Sequence, residues 1–528
     1  MDGTAVRRPG DLRAAERLRT DRGLPATAAD GRRRPRAAPA TPRADGVFPR
    51  ADPGVGAALG ARRLAAADRT QPSPPAGVRR RRAARTARAR LLRCAAVTLP
   101  TAPRLVLACG AAQLLLLAGV AGLDARVATV PFLWLLGGAS LAYVAALLLL
   151  ARGEHGTRRQ LAACLLIAVA GRVVLAGAAP IASDDVYRYL WDGRVQRHGY
   201  NPYAAAPADP ALEALHTADT RRIDPTSAVL PAIYPPGAQL FLRVVTGIDE
   251  SVAAIVAAVV ACDLLVMLLL WRWLAASGCS PWWVLVYAWH PLPAVEGAAG
   301  GHIDLLGTLL VLAAAVALQA RRTLAAALAL AAAFSVKFLP LVLAPLLWRR
   351  VRVRDAVAAV ALVALLYLPF FDGSLLPIGS LPQYAAQWRF NGPLFAWIEA
   401  GAGTAAAFAL AVGAGLAVSA AARARLPATA PEAWAWPLAA TVLLLPTVYP
   451  WYLVWLVPFL TAPRTWPLLV WTLAAPLTYI VWASRAAGAG WVLPVWVEPV
   501  EYGLLAAALA AAWLARRRAG SSAARAAS

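Results

Sequence analysis

Apolar runs of about 18 residues or more recur through this chain from residue 103 to residue 515. A run of that length crosses the hydrocarbon core of a bilayer as one helix. Hydrophobic residues make up 60% of the 528 positions, where soluble domains sit nearer half. The sequence therefore predicts an all-α polytopic membrane protein with about 12–14 transmembrane helices. Length-based domain counting does not apply to such a body.

The formal charge is +24, and about 15 of those charges fall in residues 1–93. That segment is rich in Arg, Ala and Pro and has no periodic apolar face, so it reads as a disordered cytoplasmic tail. It has no apolar core followed by a small-residue cleavage site, which excludes a secretory signal. It also lacks the interleaved aromatics and folded module of a nucleic-acid binder, so no nucleic-acid partner is expected. Residues 94–518 form the expected membrane domain, and 519–528 a second short tail. The five cysteines show no paired or metal-type spacing.

Arginine clusters set the orientation by the positive-inside rule: Arg79–Arg93, Arg158–Arg159, Arg321–Arg322, Arg349–Arg354, Arg423–Arg425 and Arg516–Arg518. Placing them all in the cytoplasm puts both termini inside a plasma membrane. Three spans come first, near 103–123, 130–151 and 159–178. A large extracytoplasmic loop, 180–250, follows the third. Further spans are expected near 251–274, 281–298, 303–320, 355–371, 403–422, 466–484 and 499–515, with two more in 434–460 turning near "TVYPWY". The run 323–348 has arginine at both ends and is too short for two full spans. It reads as a hairpin or re-entrant pair turning near "SVKFLP", broken by Pro340. Such backbone survives at membrane depth only inside protein or beside a wet cavity.

This orientation gathers nearly all the remaining carboxylates, histidines and aromatics on the outer side. "SDDVYRYLWDGRVQRHGYNPY" (183–203) brings adjacent carboxylates, Asp184 and Asp185, to the end of the third span. A helix from Val186 sets Asp185, Tyr189 and Asp192 on one face, with Tyr187, Arg188 and Arg194 beside it. The pair either caps this helix or supplies a general base. "IYPPGAQLFL" contributes Tyr234, which either lines a sugar site or packs. "WHPLPAVEGAAGGHIDLLG" gathers Glu296, His302 and Asp304, suited to sugar or phosphate contacts, to a divalent metal, or to capping. Lys337 is the one lysine among 52 Lys and Arg. At the outer end of its hairpin it either meets an anion such as phosphate or snorkels. Arg389, Tyr452 and Arg485 lie on further outer segments, and an outer arginine either clamps phosphate or snorkels. No Walker loop and no GxGxxG after a strand is present, so a nucleotide-linked donor is not expected.

The ordered set "SDDVYRYLWDGRVQRHGYNPY", "IYPPGAQLF", "EGAAGGHIDLLG", "SVKFLPL" and "YPWYLVWLVPF" resembles the bacterial polyprenyl-phosphate-dependent glycosyltransferases of the C-type fold, the actinobacterial mannosyltransferases among them. The resemblance spans about residues 100–515. It implies a polyprenyl-phosphate sugar donor used on the outer face, a glycolipid or glycan acceptor, and a catalytic base at Asp184 or Asp185. In many relatives the large loop follows the first span; here it follows the third. The expected reaction is an inverting transfer, with Lys337, Arg188 and Arg389 stabilising the leaving phosphate and no cofactor or metal required. Mannose follows from the resemblance alone. Rival readings are a transporter or flippase, or a polymerase, of lipid-linked saccharides. Arg172 and Asp263, inside the third and fourth spans, are the charges a transporter reading would use; they could instead pair structurally.

Overall fold

The computed structural model describes residues 102–525, apart from Glu154, Ala179 and Ser374–Leu376. The expected tail at 1–93 lies outside these residues. Three long helices open the body: α1 (Ala102–Ala121), α2 (Thr129–Ala151) and α3 (Arg158–Ala176). Thr157 starts α3 with a capping box: its Oγ1 accepts from the Gln160 N–H, while its own N–H donates to Gln160 Oε1. On α2, Phe132, Leu136, Ala139, Tyr143, Leu147 and Leu150 recur every three to four residues and are buried. Trp134 and Leu141, on other sides of that helix, are 78% and 73% exposed. Large apolar side chains all around a helix, half of them open, mark a surface that meets lipid rather than water.

Next come α4 (Asp185–Arg197), α5 (Pro236–Ile248) and α6 (Val252–Ala276), the last capped by Ser251 Oγ. α4 is packed against α5 and α6 and buries Val186, Tyr187, Tyr189, Leu190 and Trp191. Then follow α7 (Asp304–Gln319), α8 (Thr323–Phe334), α9 (Val353–Tyr367), α10 (Thr404–Arg425), α11 (Glu432–Val442) and α12 (Val497–Arg525). α12 runs into the stretch expected as a C-terminal tail. Among the described residues eight helices are long and apolar enough to cross a membrane, and three apolar helices are shorter. Other apolar stretches are broken into short pieces. No strand forms among the described residues beyond one parallel bridge, Phe390 to Thr447.

The breaks lie at four places. The expected span at 281–298 is four short pieces, Pro281–Val284, Leu285–Ala288, Pro291–Ala294 and a π-turn, Val295–Ala299. Pro291 and Pro293 remove the donors a continuous helix would need. The hairpin after α8 breaks at residues 335–338, as expected, and returns as a 3₁₀ turn, Leu339–Leu343. The turn before "YPWY" leads into a 3₁₀ run, Pro450–Phe459. A fourth 3₁₀ piece, Ala475–Ile480, interrupts the apolar stretch Pro463–Ala486.

Broken backbone in a bilayer needs partners from its own protein. Gln113 on α1 donates to the Trp289 carbonyl at 2.5 Å, Tyr143 on α2 to Val286 at 2.7 Å, and Arg172 on α3 to Ala288 at 2.8 Å. Each long helix thus braces one peptide of the broken segment. Arg172 is also paired with Asp263 of α6, which accepts from Tyr287 at 2.6 Å. Both charges are buried with every partner supplied by the brace, so this intramembrane pair is structural.

Candidate active site

Asp184 and Asp185 part company at the start of α4. Asp184 occupies the capping position but makes no capping bond. Its carboxylate pairs with Arg126, whose Nε and Nη2 hold Asp124 at 2.8 and 2.7 Å. Burial raises its carboxyl above the ordinary value, and Arg126 offsets only part of that. The helix start is served by Ser183, whose Oγ accepts the Asp185 N–H at 3.2 Å. Asp185 is then free of capping duty, and its side chain is 39% exposed.

Asp185 Oδ2 lies 3.6 Å from His302 Nε2, beyond a direct hydrogen bond. His302 is completely buried, and Nε2 has no hydrogen-bond partner. Its Nδ1 makes a 3.2 Å hydrogen-bond contact with the Glu296 carbonyl and sits 3.0 Å from Glu296 Oε2, an ionic contact out of line for a bond. Glu296 in turn accepts from the Tyr479 hydroxyl at 2.6 Å. The double glycine before His302 makes this return possible. Gly301 has φ +69°, and a Cβ on Gly300 would fall 2.6 Å from His302 Nδ1. His302 lies in the turn ahead of α7, outside the spanning helices. Burial alone would lower its pKa, but the two carboxylates beside it, Asp185 and Glu296, outweigh that and push it up to about 9. The ring lies between two carboxylates, both of which favour its charged form.

Asp304, two residues on, is buried and receives Lys337 Nζ at 2.8 Å on both oxygens, with Trp455 Nε1 at 2.7 Å on one of them. The Lys337 ammonium lies 4.4 Å from the centre of the Tyr452 ring and 5.7 Å from that of Tyr234. In a 3₁₀ run, side chains at i and i+3 eclipse. That is why Tyr452 and Trp455 reach the same ion pair. Trp455 packs so closely on α7 that a Cβ on Gly307 would come within 1.9 Å of its ring. Tyr189 and Tyr234 meet hydroxyl to hydroxyl at 3.4 Å, and Tyr384 and Tyr452 at 3.2 Å. Tyr189 stands one turn after Asp185 on α4, and Tyr234, which it meets, faces Lys337, as does Tyr452. The two clusters therefore share one tyrosine wall.

Of the residues expected at a site, Asp185, Tyr234, Glu296, His302, Asp304, Lys337 and Tyr452 converge here. The others do not. Arg188 donates to Asp192 at 2.8 Å and to the Ser227 carbonyl at 2.9 Å. Arg194 is paired with Glu250 and donates to the Leu215 carbonyl. Arg389 grips Glu399 with two bonds, at 2.9 and 2.6 Å, and donates to the Ala385 and Trp388 carbonyls. The Arg194 and Arg389 guanidiniums are already engaged by carboxylates and carbonyls, which leaves them poor clamps for a ligand, while Arg188 keeps a buried Nη2 without a partner. Tyr187 sits under Arg222, 4.4 Å from its ring centre, on the Asp184 side of α4. Arg485 pairs with Asp224 at 2.6 Å. Sequence reasoning missed Tyr384, Trp451, Trp455 and Tyr479 as site residues. For Trp451 and Trp455 the signal was the dense aromatic motif itself; nothing local marks Tyr479. Among the described residues no three His, Cys, Asp or Glu side chains gather as a metal site.

No curated protein and no solved structure matches the chain. Residues 94–351 match the model of the MptA_B family, described as alpha-(1->6)-mannopyranosyltransferase, N-terminal domain. The matched stretch contains Asp185, Glu296, His302, Asp304 and Lys337, and it supports a mannosyltransferase reading of this chain.

Proposed function

We propose that this protein is a membrane mannosyltransferase that moves a sugar from polyprenyl phosphate to a hydroxyl of a lipid-linked or cell-envelope glycan, on the extracytoplasmic face. The observation that carries the reading is the open Asp185 carboxylate. It faces the buried His302 ring and shares a tyrosine wall with the Lys337–Asp304 pair.

In this reading Asp185, not Asp184, is the base. The acceptor hydroxyl gives its proton to Asp185 as its oxygen attacks the anomeric carbon. The bond from that carbon to the phosphate oxygen breaks with inversion, and polyprenyl phosphate leaves with the electron pair. Phosphate is a good leaving group, so no acid need protonate it. Lys337 spends two of its three donors on Asp304. The third meets the phosphate oxygen on which charge grows. The tyrosine hydroxyls offer partners for sugar hydroxyls. His302 fixes the Asp185 carboxylate from behind, itself oriented by Glu296 and Tyr479. No cofactor is called for. A transporter reading loses its one intramembrane ion pair, because Arg172 and Asp263 brace the fold.

The test is transfer of labelled mannose from a polyprenyl-phosphate donor by membranes carrying each variant. Asp185→Asn loses transfer and Asp184→Asn keeps it. Full activity in Asp185→Asn sinks the assignment.

A further inference from the structure

The "TVYPWY" motif contributes Tyr452 to the lysine cluster, but its other aromatics do something else. The Trp451 ring lies flat on His302, centroids 4.2 Å apart and planes 14° from parallel. Tyr449 stacks on Trp451 at 4.4 Å and 9°, and Phe390 stacks on Tyr449 at 4.5 Å and 23°. Four rings thus form one column, and all four are buried. Its far end is held by backbone. The Phe390 N–H donates to Pro446 at 3.0 Å and the Val448 N–H returns to Phe390 at 2.9 Å. Trp491 donates its Nε1–H to the Tyr449 hydroxyl at 3.3 Å. Core packing alone needs no such parallel stacking, since buried rings also meet edge-to-face.

We propose that Trp451 is a positioning residue, whose indole, backed by Tyr449 and Phe390, holds the His302 ring in the plane that aims Nε2 at Asp185 and Nδ1 at Glu296. The catalytic part of this inference rests on the transferase reading above; the positioning part does not. An indole face attracts a cation, and more strongly when both are dry. The charged groups facing His302 are Asp185 from α4 and Glu296 from its own segment, with the Tyr479 hydroxyl behind Glu296. Over the adjacent Gly301, the nearest side chains are Val186 of α4 and Val256 of α6. The stacked Trp451 face thus favours the charged form of the ring without carrying a charge itself.

The experiment titrates His302 in the full-length protein in lipid nanodiscs, by ¹⁵N imidazole shifts of histidine-labelled material, the signal assigned with His302→Gln. Trp451→Leu lowers the midpoint by roughly one pH unit. Trp451→Phe, which keeps a flat ring, holds it within a few tenths. Phe390→Leu, one step down the column, gives a smaller fall in the same direction and serves if Trp451→Leu does not fold. An unchanged midpoint in the folded Leu variant overturns the proposal, as does an equal fall in Trp451→Phe. In transfer assays the alkaline limb of Trp451→Leu moves down with the midpoint. A wild-type protein that transfers no mannose sinks the transferase reading, while the midpoint arm still decides the positioning role.

Discussion

Lys337–Asp304 and Arg389–Glu399 are both ion pairs, yet they are built to opposite ends. Arg389 engages four hydrogen-bond partners, two of them on Glu399, and Thr404 donates to the same carboxylate. It is a closed unit with both side chains about a quarter exposed. Lys337 meets one carboxylate with two of its donors, among aromatic rings, while Asp304 is fully buried. Each cation has one donor over, but only Lys337 keeps it beside a fully buried counter-charge. A charge on the right side of a membrane is therefore a weak indication of function; spare hydrogen-bonding capacity beside a buried counter-charge is a stronger one. The same distinction separates Asp185, facing an unpartnered His302 nitrogen, from Asp184, locked onto Arg126.

That contrast makes graded predictions. The largest effect belongs to the base: Asp185→Asn lowers the transfer rate by roughly 10²–10⁴-fold, while Asp184→Asn stays within several-fold, both read as labelled glycolipid formed per minute. Lys337→Ala comes next, with a loss of about 10²-fold in kcat. Lys337→Arg recovers only part of it, because a planar fork fits poorly where a compact ammonium sat. Retention of full activity in Lys337→Ala would make this pair as structural as the arginine one.

A smaller effect is a displacement along the pH axis. His302 is charged below about 9 and loses that charge as pH rises through it. Transfer therefore falls on the alkaline side near that value. Glu296→Gln removes one of the two carboxylates holding the proton, so the limb moves to lower pH, with the rate at pH 6 changed least. An unmoved limb would detach His302 from the chemistry. The smallest effect belongs to the closed pair. Arg389→Ala changes transfer by no more than a few-fold and costs about 1 kcal/mol or less of stability in a denaturation assay, as partly exposed ion pairs do.

Much of this was legible from residue types that do not belong in an apolar chain. The one lysine, the paired aspartates and the Glu–His–Asp group all stood out because lipid-facing sequence excludes them, and all but Asp184 converge. The hairpin at Lys337 was legible from its arginine flanks and Pro340. What stayed hidden was whatever depends on distant partners. Tyr479 reaches Glu296 across 183 positions and Trp455 reaches Asp304 across 151, and no local pattern encodes either. Arg389 and Arg194 misled for the same reason, since their carboxylates lie on other segments. The span at 281–298 read as continuous because its composition is apolar. Only the side chains of α1–α3 that take up its freed carbonyls explain how it can be broken.

The solitary lysine also makes the protein its own reporter. An amine-selective acylating reagent finds a single lysine side chain in 528 residues. That amine is 15% exposed and held by Asp304, so it reacts when the contact opens. The rate at which the peptide carrying Lys337 gains its mass increment, read apart from the α-amine, then times the opening of the pair.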